Sequence, residues 1–500
     1  MSHAVRPGVC ASAFVLAAAA AAMAQHPRIV GTMQLPRSHT LTGTLHLDID
    51  GDGRGDLVLA CRDNDNKRRE LRIHQGRDAA NGAPVFASEP SRPPLPIDRD
   101  VVAFTFVDCR PEPGRELVLL TAERAVVVDL RVEGGPSYTP LCEQRLVWPA
   151  ADAQFVLPLA DARCDFDGDG HDDLLLPVPD GAVLQLLSTP ARRLAFQLPP
   201  RRRPAGSSKP GGASLQDGRL RLALTGDADA ERDRPLVQLR SRTPAARLQD
   251  LEGDGSLELL AVRNDMLFIG RLRDGALQVE ARPLPLPGDR LALFDPAFDV
   301  QLVDVDGDRR LDLVLTTSAR RDDEVEVRID LFRTAADGSW PVQPDSRLRL
   351  QALAQPPQLV DADGDGRLDV VAVTVRTDAL RDPTSTVPTA LEAQLHVFRG
   401  DGARFVLPAA LGERLRLPVR SGRTALAQLL PGSADAPGAL LLAVDDALVL
   451  RPLQRADERL RLAPATGRLP IPADARLTLA DGSADVLVRT DTELLVVRPR

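Results

Sequence analysis

The chain is poor in aromatic residues and in lysine. It holds 2 tryptophans, 1 tyrosine and 13 phenylalanines among 500 residues. Lectins and extended glycan grooves stack sugar rings on such side chains, so this scarcity argues against both. Lys67 and Lys209 are its only lysines, and we interpret the preference for arginine as a matter of genome composition. The three arginines at 201–203 are read as a solvated loop, and we expect no nucleic-acid partner.

Local catalytic motifs are missing as well. The sequence contains no Gly-x-Ser-x-Gly elbow, no His-Glu-x-x-His, no Cys-x-x-Cys and no phosphate-binding glycine loop. An active site assembled from separate repeats would leave no such motif. The absence therefore weakens an enzymatic role without removing it.

Long apolar runs are missing beyond the N-terminus. The apolar stretch at residues 11–22 is too short to span a bilayer. It follows Arg6 and ends in Ala22-Met23-Ala24, the small-residue pattern of a cleavage site, so residues 1–24 are predicted to be a secretory signal. We expect export to the periplasm, the cell surface or the medium, with no transmembrane segment in the mature chain, residues 25–500.

Cysteine is scarce but leaves one question open. Of the 5 cysteines, Cys10 belongs to the predicted signal. The other four, Cys61, Cys109, Cys142 and Cys164, permit two disulfides in an exported protein, with three possible pairings. Buried free thiols are the alternative, and the sequence does not choose between them.

Aspartate, in contrast, recurs in a nine-residue frame with carboxylates at positions 1, 3, 5 and 9. The frame begins at Asp48, Asp165, Asp304 and Asp361, each time before an apolar run. Alternate side chains of a tight loop converge on one point, glycine at positions 4 and 6 permits a positive φ, and oxygen-only ligands favour Ca²⁺. Four carboxylates this close would repel one another without a cation.

Two departures from the frame matter. A fifth copy uses two glutamates, in the set Asp250, Glu252, Asp254 and Glu258, so a fifth ion there is doubtful. Arg309 stands where glycine is expected at position 6, and a left-handed residue there would cost about 1 to 2 kcal/mol, so we expect the 304 site to be weaker or differently shaped.

The loops have two alternative interpretations, an EF-hand and a turn without an ion. An EF-hand needs an exit helix and a glutamate at position 12, but these exits are apolar and strand-like, and position 12 is leucine or alanine. An Asp/Gly-rich turn without an ion stays open. Even with ions bound, shells made of carboxylates leave few positions for substrate, so we expect a stabilising role rather than a chemical one.

The frames belong to a longer repeat. Units begin at 48, 108, 165, 250, 304, 361 and near 431 and 477, with strand-like runs around each start. This spacing predicts an all-β fold, a β-propeller of seven to eight four-stranded blades, with the strand at 29–35 completing the last blade and closing the ring. We predict the third and fourth strands of the first unit at 71–74 and 84–87, an inserted loop near 199–212, an extra hairpin at 220–224, and a unit at 108 that has lost its ion.

The motif Asp-x-Asp-Gly-Asp-Gly-x-x-Asp, followed by an apolar strand, resembles the FG-GAP or VCBS-type repeats of integrin alpha-subunit propellers and of many exported bacterial proteins. The resemblance implies Ca²⁺ at about four sites, in loops between the first two strands of a blade. The implied ligands are Asp48, Asp50, Asp52, Asp56 and the carbonyl of Arg54; Asp165, Asp167, Asp169, Asp173 and the carbonyl of His171; Asp304, Asp306, Asp308, Asp312 and the carbonyl of Arg310; and Asp361, Asp363, Asp365, Asp369 and the carbonyl of Arg367.

From these observations we expect an exported calcium-binding propeller that acts as a non-catalytic binding or scaffold module. Its partner would be a protein or an extracellular polymer. The alternative is a propeller enzyme, of polysaccharide lyase or hydrolase type, acting on such a polymer. The formal net charge of −9 belongs mostly to the loops, since four divalent ions would neutralise most of it, and it says little about the partner.

Overall fold

The structure is a computed structural model of the chain. It describes residues 28–36, 38–77, 86–110, 112–130, 136–146, 157–158, 163–178, 180–187, 192–199, 214–216, 219–221, 246–263, 265–286, 298–321, 324–353, 356–375, 390–418, 427–432, 437–444, 447–456, 459–471, 476–479, 486–489 and 493–498. The predicted signal and most of the predicted insertion at 199–212 lie outside these ranges. Within them, no helix has the length and hydropathy of a membrane span.

Consecutive antiparallel strands form eight sheets of four main strands each, which are the blades of a β-propeller. In chain order, seven of them are β2 (His39–Leu47), β3 (Asp56–Asp63), β4 (Arg68–His74) and β5 (Leu95–Ile97); β6 (Val101–Val107), β7 (Glu116–Thr121), β8 (Arg124–Asp129) and β9 (Ser137–Glu143), with β10 (Leu157–Pro158) added parallel to β6; β11 (Arg163–Cys164), β12 (Asp173–Val178), β13 (Gly181–Leu186) and β14 (Arg192–Gln197); β17 (Arg247–Gln249), β18 (Glu258–Arg263), β19 (Met266–Arg273) and β20 (Ala276–Pro283); β21 (Phe298–Val303), β22 (Asp312–Arg321), β23 (Glu324–Phe332) and β24 (Ser346–Leu350); β25 (Gln358–Val360), β26 (Asp369–Val375), β27 (Ala390–Phe398) and β28 (Leu411–Pro418); and β29 (Ala427–Leu430), β30 (Ala439–Val444), β31 (Ala447–Ala456) and β32 (Arg459–Leu462), with β33 (Gly467–Pro470) also paired to β31.

The eighth blade joins the two ends of the chain. It consists of β34 (Arg476–Leu479), β35 (Val486–Arg489), β36 (Glu493–Arg498) and the N-terminal β1 (Arg28–Gln34), which pairs with β36. Met33 of β1 is fully buried in a cluster with Leu57 of the next blade. The predicted closing strand is therefore confirmed, and the ring leaves no open sheet edge at this junction.

The apolar run after each aspartate loop becomes the second strand of a blade. In β3, Leu57 to Ala60 are all at most 1% exposed, and Val370 to Val373 of β26 are similarly buried. Both faces of such a strand are covered because neighbouring blades pack against both sides of the sheet, which explains a continuous apolar run instead of an alternating one. Each fully buried leucine or valine contributes about 1.5 to 3 kcal/mol relative to exposure.

Two details of the strand assignment differ from expectation or complete it. The fourth strand of the first blade is Leu95–Ile97 rather than 84–87; Phe86 forms only a single bridge with Gly76, and 84–85 lie outside the described residues. Two short strands, β15 (Ser214–Gln216) and β16 (Arg219–Arg221), form a hairpin. In sequence it lies between β14, the last strand of one blade, and β17, the first strand of the next, close to the predicted extra hairpin.

The cysteine question is answered by the packing. Cys61, Cys109, Cys142 and Cys164 are all free thiols. Burial raises the pKa of Cys61, Cys109 and Cys164 to about 12. They are therefore protonated side chains of the core and its margins rather than reactive thiolates.

Candidate metal centre in the aspartate loops

The five aspartate loops lie between the first and second strands of their blades. We number the residues of each loop 1 to 9 and name the loop by its first residue. Position 4 is a glycine with φ between 72° and 80° in all five loops, and position 6 has φ between 72° and 90°. Arg309, at position 6 of the 304 loop, adopts φ 72° like the glycines at the equivalent positions. The 304 loop therefore keeps the backbone shape of the other loops, against the expectation of a different shape, and its weaker binding stays a prediction.

The carboxylate at position 1 is held by the backbone of its own loop. Asp48 accepts N–H groups from Gly51 and Gly53, each at 2.8 Å. The other four loops repeat both bonds from positions 4 and 6, and in the 304 loop Arg309 donates to Asp304 at 2.9 Å. Every copy therefore folds into the same shape, with its position 1 side chain fixed.

The carboxylate at position 9 ties three parts of the blade together. Asp173, which is fully buried, accepts the N–H of Phe166 in the loop at 2.9 Å and the N–H of Leu187 after the third strand at 3.0 Å. The same pair of bonds, between 2.7 and 3.1 Å, holds Asp56, Asp312 and Asp369. This carboxylate thus connects the start of the loop to the second and third strands.

Burial makes these position 9 carboxyls unusually basic. It raises the pKa of Asp173 and of Asp312 to about 6 and that of Asp369 to about 7, and the neighbouring carboxylates of the same loop add to the effect. The pKa of Asp56 is raised for the same reasons. The two backbone N–H groups act in the opposite direction and do not compensate. Negative charge in the loops is therefore disfavoured unless a cation accompanies it.

Each of the four complete loops brings three carboxylates together. One oxygen of each lies within 4.8 Å of the other two. The groups are Asp48, Asp50 and Asp56; Asp165, Asp167 and Asp173; Asp304, Asp306 and Asp308; and Asp361, Asp363 and Asp365. Such oxygen-only groups could hold a hard divalent cation.

Eight of the twenty implied ligands fall outside these groups. They are Asp52 and Asp169 at position 5, Asp312 and Asp369 at position 9, and the carbonyls of Arg54, His171, Arg310 and Arg367 at position 7. Asp52 and Asp169 each accept the N–H of the position 7 residue, at 2.8 and 2.9 Å. Asp312 and Asp369 already accept two backbone N–H groups each, so the ligand role of these eight stays a prediction.

Asp167 supplies a test of whether a cation fits. Its Oδ1 is buried but accepts no hydrogen bond from any described residue. Burial, followed by the charge of Asp169, raises the pKa of this carboxyl. A buried acceptor without a partner costs about 1 to 3 kcal/mol. A divalent cation among Asp165, Asp167 and Asp173 would remove that cost, so the donor set of the 165 loop fits one.

Comparisons with known proteins find solved structures of low identity only. No protein-family model and no curated protein matches the chain. Among solved structures, the Dos1 propeller is 8% identical over 94% of each chain, with a TM-score of 0.41. An Agrocybe aegerita lectin that recognises non-reducing terminal N-acetylglucosamine is 12% identical over 87% of this chain and 92% of its own, with a TM-score of 0.34. The exotype rhamnogalacturonan lyase YesX is 13% identical over 95% of this chain and 76% of its own, with a TM-score of 0.32. All three scores lie below 0.5, so the count of eight blades rests on the strand pairing.

The 250 loop differs from the four complete loops. Its carboxylates form no comparable group among the described residues. Arg271 of β19 lies instead between them, 2.6 Å from Glu252 and 3.6 Å from Glu258. This arginine was not predicted as part of a site, because nothing in the sequence aligns it with the loop.

The 108 loop keeps the carboxylates at positions 1 and 9 of the frame, Asp108 and Glu116. Glu116 at position 9 accepts the N–H of Cys109 at 3.3 Å, as the other position 9 carboxylates do. Arg110 replaces the acidic residue at position 3 and forms an ion pair with Asp129. An open hollow beside this loop is lined by both of these residues with Glu112 and Pro113. That this unit has lost its ion stays a prediction.

Neighbouring loops are joined by backbone hydrogen bonds. The N–H at position 8 of one loop donates to the beginning of the preceding loop: Arg115 to Ile49 at 2.7 Å, Asp172 to Asp108 at 2.9 Å and Leu311 to Leu251 at 3.0 Å. Gly432, in the turn of the following blade, donates to Asp361 at 2.6 Å. The loops therefore form connected arcs along one end of the propeller.

Three further side chains lie in or beside the loops. Asp56, the last residue of the Arg-Gly-Asp tripeptide, is 2% exposed, so it is not available for adhesion. His46 lies on β2 and packs edge to face against Phe86, with ring centroids 5.5 Å apart. His171 lies within its loop, where its Nδ1 is buried and has no hydrogen-bond partner among the described residues.

Proposed function

We propose that the protein is an exported, calcium-stabilised propeller of the FG-GAP or VCBS type that serves as a non-catalytic binding or scaffold module. Its partner would be a protein or an extracellular polymer. The observation that carries the proposal is the recurrence of three converging carboxylates in four equivalent loops, together with the unpartnered Asp167 oxygen. The loop sequences, which resemble those repeats, support calcium as the cation.

The geometry of the loops favours stabilisation over chemistry. Carboxyls with pKa values near 6 or 7, such as Asp173 and Asp369, are the usual candidates for general acids. Here, however, both oxygens of each accept backbone N–H groups, which leaves neither poised to exchange a proton with a substrate. A cation in such a loop would reinforce the junction of the strands instead.

The calcium role is tested by thermal melting of the mature protein in calcium and then in excess chelator. A site filled at a hundredfold excess over its dissociation constant adds about 2.7 kcal/mol, and several sites add together. We expect a rise of several degrees that is lost in chelator and restored by calcium, but not by the same concentration of sodium. An unchanged melting temperature would contradict the proposal.

A matched pair of variants assigns the effect to a loop. Asp167→Asn removes a carboxylate from the group in the 165 loop, and Asp65→Asn removes an exposed carboxylate outside the loops. We expect only the first to reduce the calcium-dependent rise. Export is checked separately, since the proposal requires the mature protein to begin at Gln25 when recovered from the periplasm or medium.

A further inference from the structure

One side-chain position recurs opposite the aspartate loops. In six blades the residue after loop position 9 pairs with the third strand, and the next residue along that strand faces position 9. The register is seen in the pairs Leu57↔His74, Leu117↔Val128, Leu174↔Gln185, Leu259↔Gly270, Leu313↔Phe332 and Val370↔Phe398. We call the facing residues the cross-strand residues: Gln75, Asp129, Leu186, Arg271, Arg333 and Arg399.

In three complete loops this residue reaches the carboxylate at position 3. Gln75 donates to Asp50 of the 48 loop at 3.1 Å. In the 304 loop, Arg333 lies 3.6 Å from Asp306. The contact is closest in the 361 loop, where Arg399 lies 2.6 Å from Asp363. Arg455 adds a second guanidinium at 3.2 Å from Asp363.

The 165 and 250 loops have the weakest and the most extensive contact between the cross-strand residue and the loop carboxylates. In the 165 loop the cross-strand residue is Leu186, which has no polar group to offer Asp167 at position 3. In the 250 loop Arg271 contacts Glu252 at position 3, Glu258 at position 9 and also Glu280.

The 108 loop repeats the relation with the charges exchanged. Its cross-strand residue, Asp129, is paired with Arg110 at position 3. Position 3 and the cross-strand residue thus carry opposite charges in this loop, although its aspartate frame is broken. The pairing belongs to the blade and is not an accident of one loop.

We propose that the cross-strand residue sets the cation affinity of each loop. The 165 loop binds most tightly, the 48 loop is next, the 304 and 361 loops bind more weakly, and the 250 loop binds no ion because the guanidinium of Arg271 takes its place. The ranking rests on the proposed calcium role. It deepens that role by identifying residues outside the loops that determine which of them are metal sites.

The physical reason is competition between two cations for one carboxylate. A guanidinium about 6 Å from a divalent ion lowers its affinity by about tenfold even when water screens the interaction, and by more when it does not. The same guanidinium occupies oxygens that the ion would use. A glutamine carries no charge and gives up its hydrogen bond at smaller cost, whereas a leucine leaves the oxygens open.

Cation binding to the 304 loop alone can be measured by luminescence. Trp340 donates to Thr334 at 3.0 Å, and the N–H of Thr334 donates to Asp312 of the loop at 2.8 Å. Terbium, a luminescent substitute for calcium, bound in this loop would be sensitised by that indole. The second tryptophan, Trp148, is replaced by phenylalanine in every protein of the series, so that indole-sensitised emission reports the 304 loop.

Terbium titrations, with calcium as competitor, are then compared for this background and three variants. Arg333→Leu imitates Leu186, and we expect it to tighten binding by about tenfold. Arg333→Gln imitates Gln75 and should tighten it by less. Arg349→Leu, an exposed position on the outer strand of the same blade, removes an equal charge and should change affinity less than twofold.

The outcomes separate the two proposals. Sensitised emission that calcium displaces, with the affinity of Arg333→Leu equal to that of Arg349→Leu, would overturn the role of the cross-strand residue alone. No emission from any folded protein of the series, together with no calcium bound to the wild type in calorimetry, would overturn the calcium role. Leu186→Arg provides the reverse test by calorimetry, in protein first shown to be folded because Leu186 is fully buried. It should weaken one calcium site by about tenfold, and an unaltered titration would count against the inference.

Discussion

Acid should stabilise the calcium-free protein through Asp369, against the usual behaviour of carboxylates. The pKa of this carboxyl is raised by burial to about 7, from an ordinary value of 3.8. A group whose pKa is higher in the folded protein contributes stability below its unfolded pKa, and this contribution is lost as the pH rises through the folded value. Between pH 8 and pH 5, protonation of Asp369 should add about 2 to 3 kcal/mol. For a chain of this length that is about 2 to 3 °C in melting temperature.

The effect is isolated by comparison with Asp369→Asn. The amide cannot titrate. Its one oxygen can accept from only one of the backbone N–H groups of Ala362 and Gly400, which donate to different oxygens of Asp369, and this loss is the same at every pH. Buried histidines such as His74, whose pKa burial lowers, act in the opposite direction, but they are common to both proteins and cancel. The melting temperature of the wild type minus that of the variant should rise as the pH falls.

The assay is a series of melts from pH 8 to pH 5 in buffers freed of calcium by a chelating resin. Asp65→Asn is the control, because it removes an exposed carboxylate outside the loops and should show the same pH profile as the wild type. Parallel profiles for the wild type and Asp369→Asn would refute the reasoning. With calcium present the wild-type profile should flatten or reverse, since protons and the ion compete for the same loop.

Three further outcomes are expected, each measured as a shift in a urea unfolding midpoint. Arg309→Gly should stabilise by about 0.5 to 1 kcal/mol, because relief of the left-handed conformation exceeds the added freedom of the unfolded chain; Arg309→Ala should give no such gain. Gly253→Ala should cost about 1 to 3 kcal/mol more than Gly255→Ala: both have a positive φ, but a Cβ at 253 would lie 2.4 Å from the carbonyl oxygen of Arg309 and one at 255 would meet nothing within 4 Å. Arg347→Ala should cost about 3 to 5 kcal/mol, since it strands the buried carboxylate of Asp330, and adding Asp330→Leu should recover most of the loss.

The fold could be predicted from the sequence because the repeat has a recognisable sequence pattern. Aspartate frames followed by apolar runs mark the first turn and the second strand of most blades, and the structure confirms both the ring and its closure by the N-terminal strand. The outer strands were harder to predict. Leu95–Ile97 makes three residue pairs with β4 and includes Pro96, so it has too little periodicity to be distinguished from a turn.

The candidate site was predictable only in part, for a related reason. The loop ligands are close in sequence, so spacing alone suggests that they converge, and three of the four carboxylates in each complete loop do so. Arg271, Arg333 and Arg399 are contributed by the third strand, 13 to 30 residues beyond position 9. Only the register of two strands, which depends on the length of their connection, brings such a residue to the loop.

The arrangement of the loops also suggests why ions at several sites would act on the molecule as a whole. A position 9 carboxylate joins the loop to the second and third strands of one blade, and the position 8 amide joins that loop to the blade before it. A cation that holds a loop in shape therefore supports contacts within one blade and between two. Blades otherwise meet through apolar surfaces such as the cluster around Leu174, which tolerate small displacements more readily than directed hydrogen bonds do. Loss of the ions should accordingly loosen the junctions between blades before it unfolds the sheets, and the arcs of connected loops are where that loosening would begin.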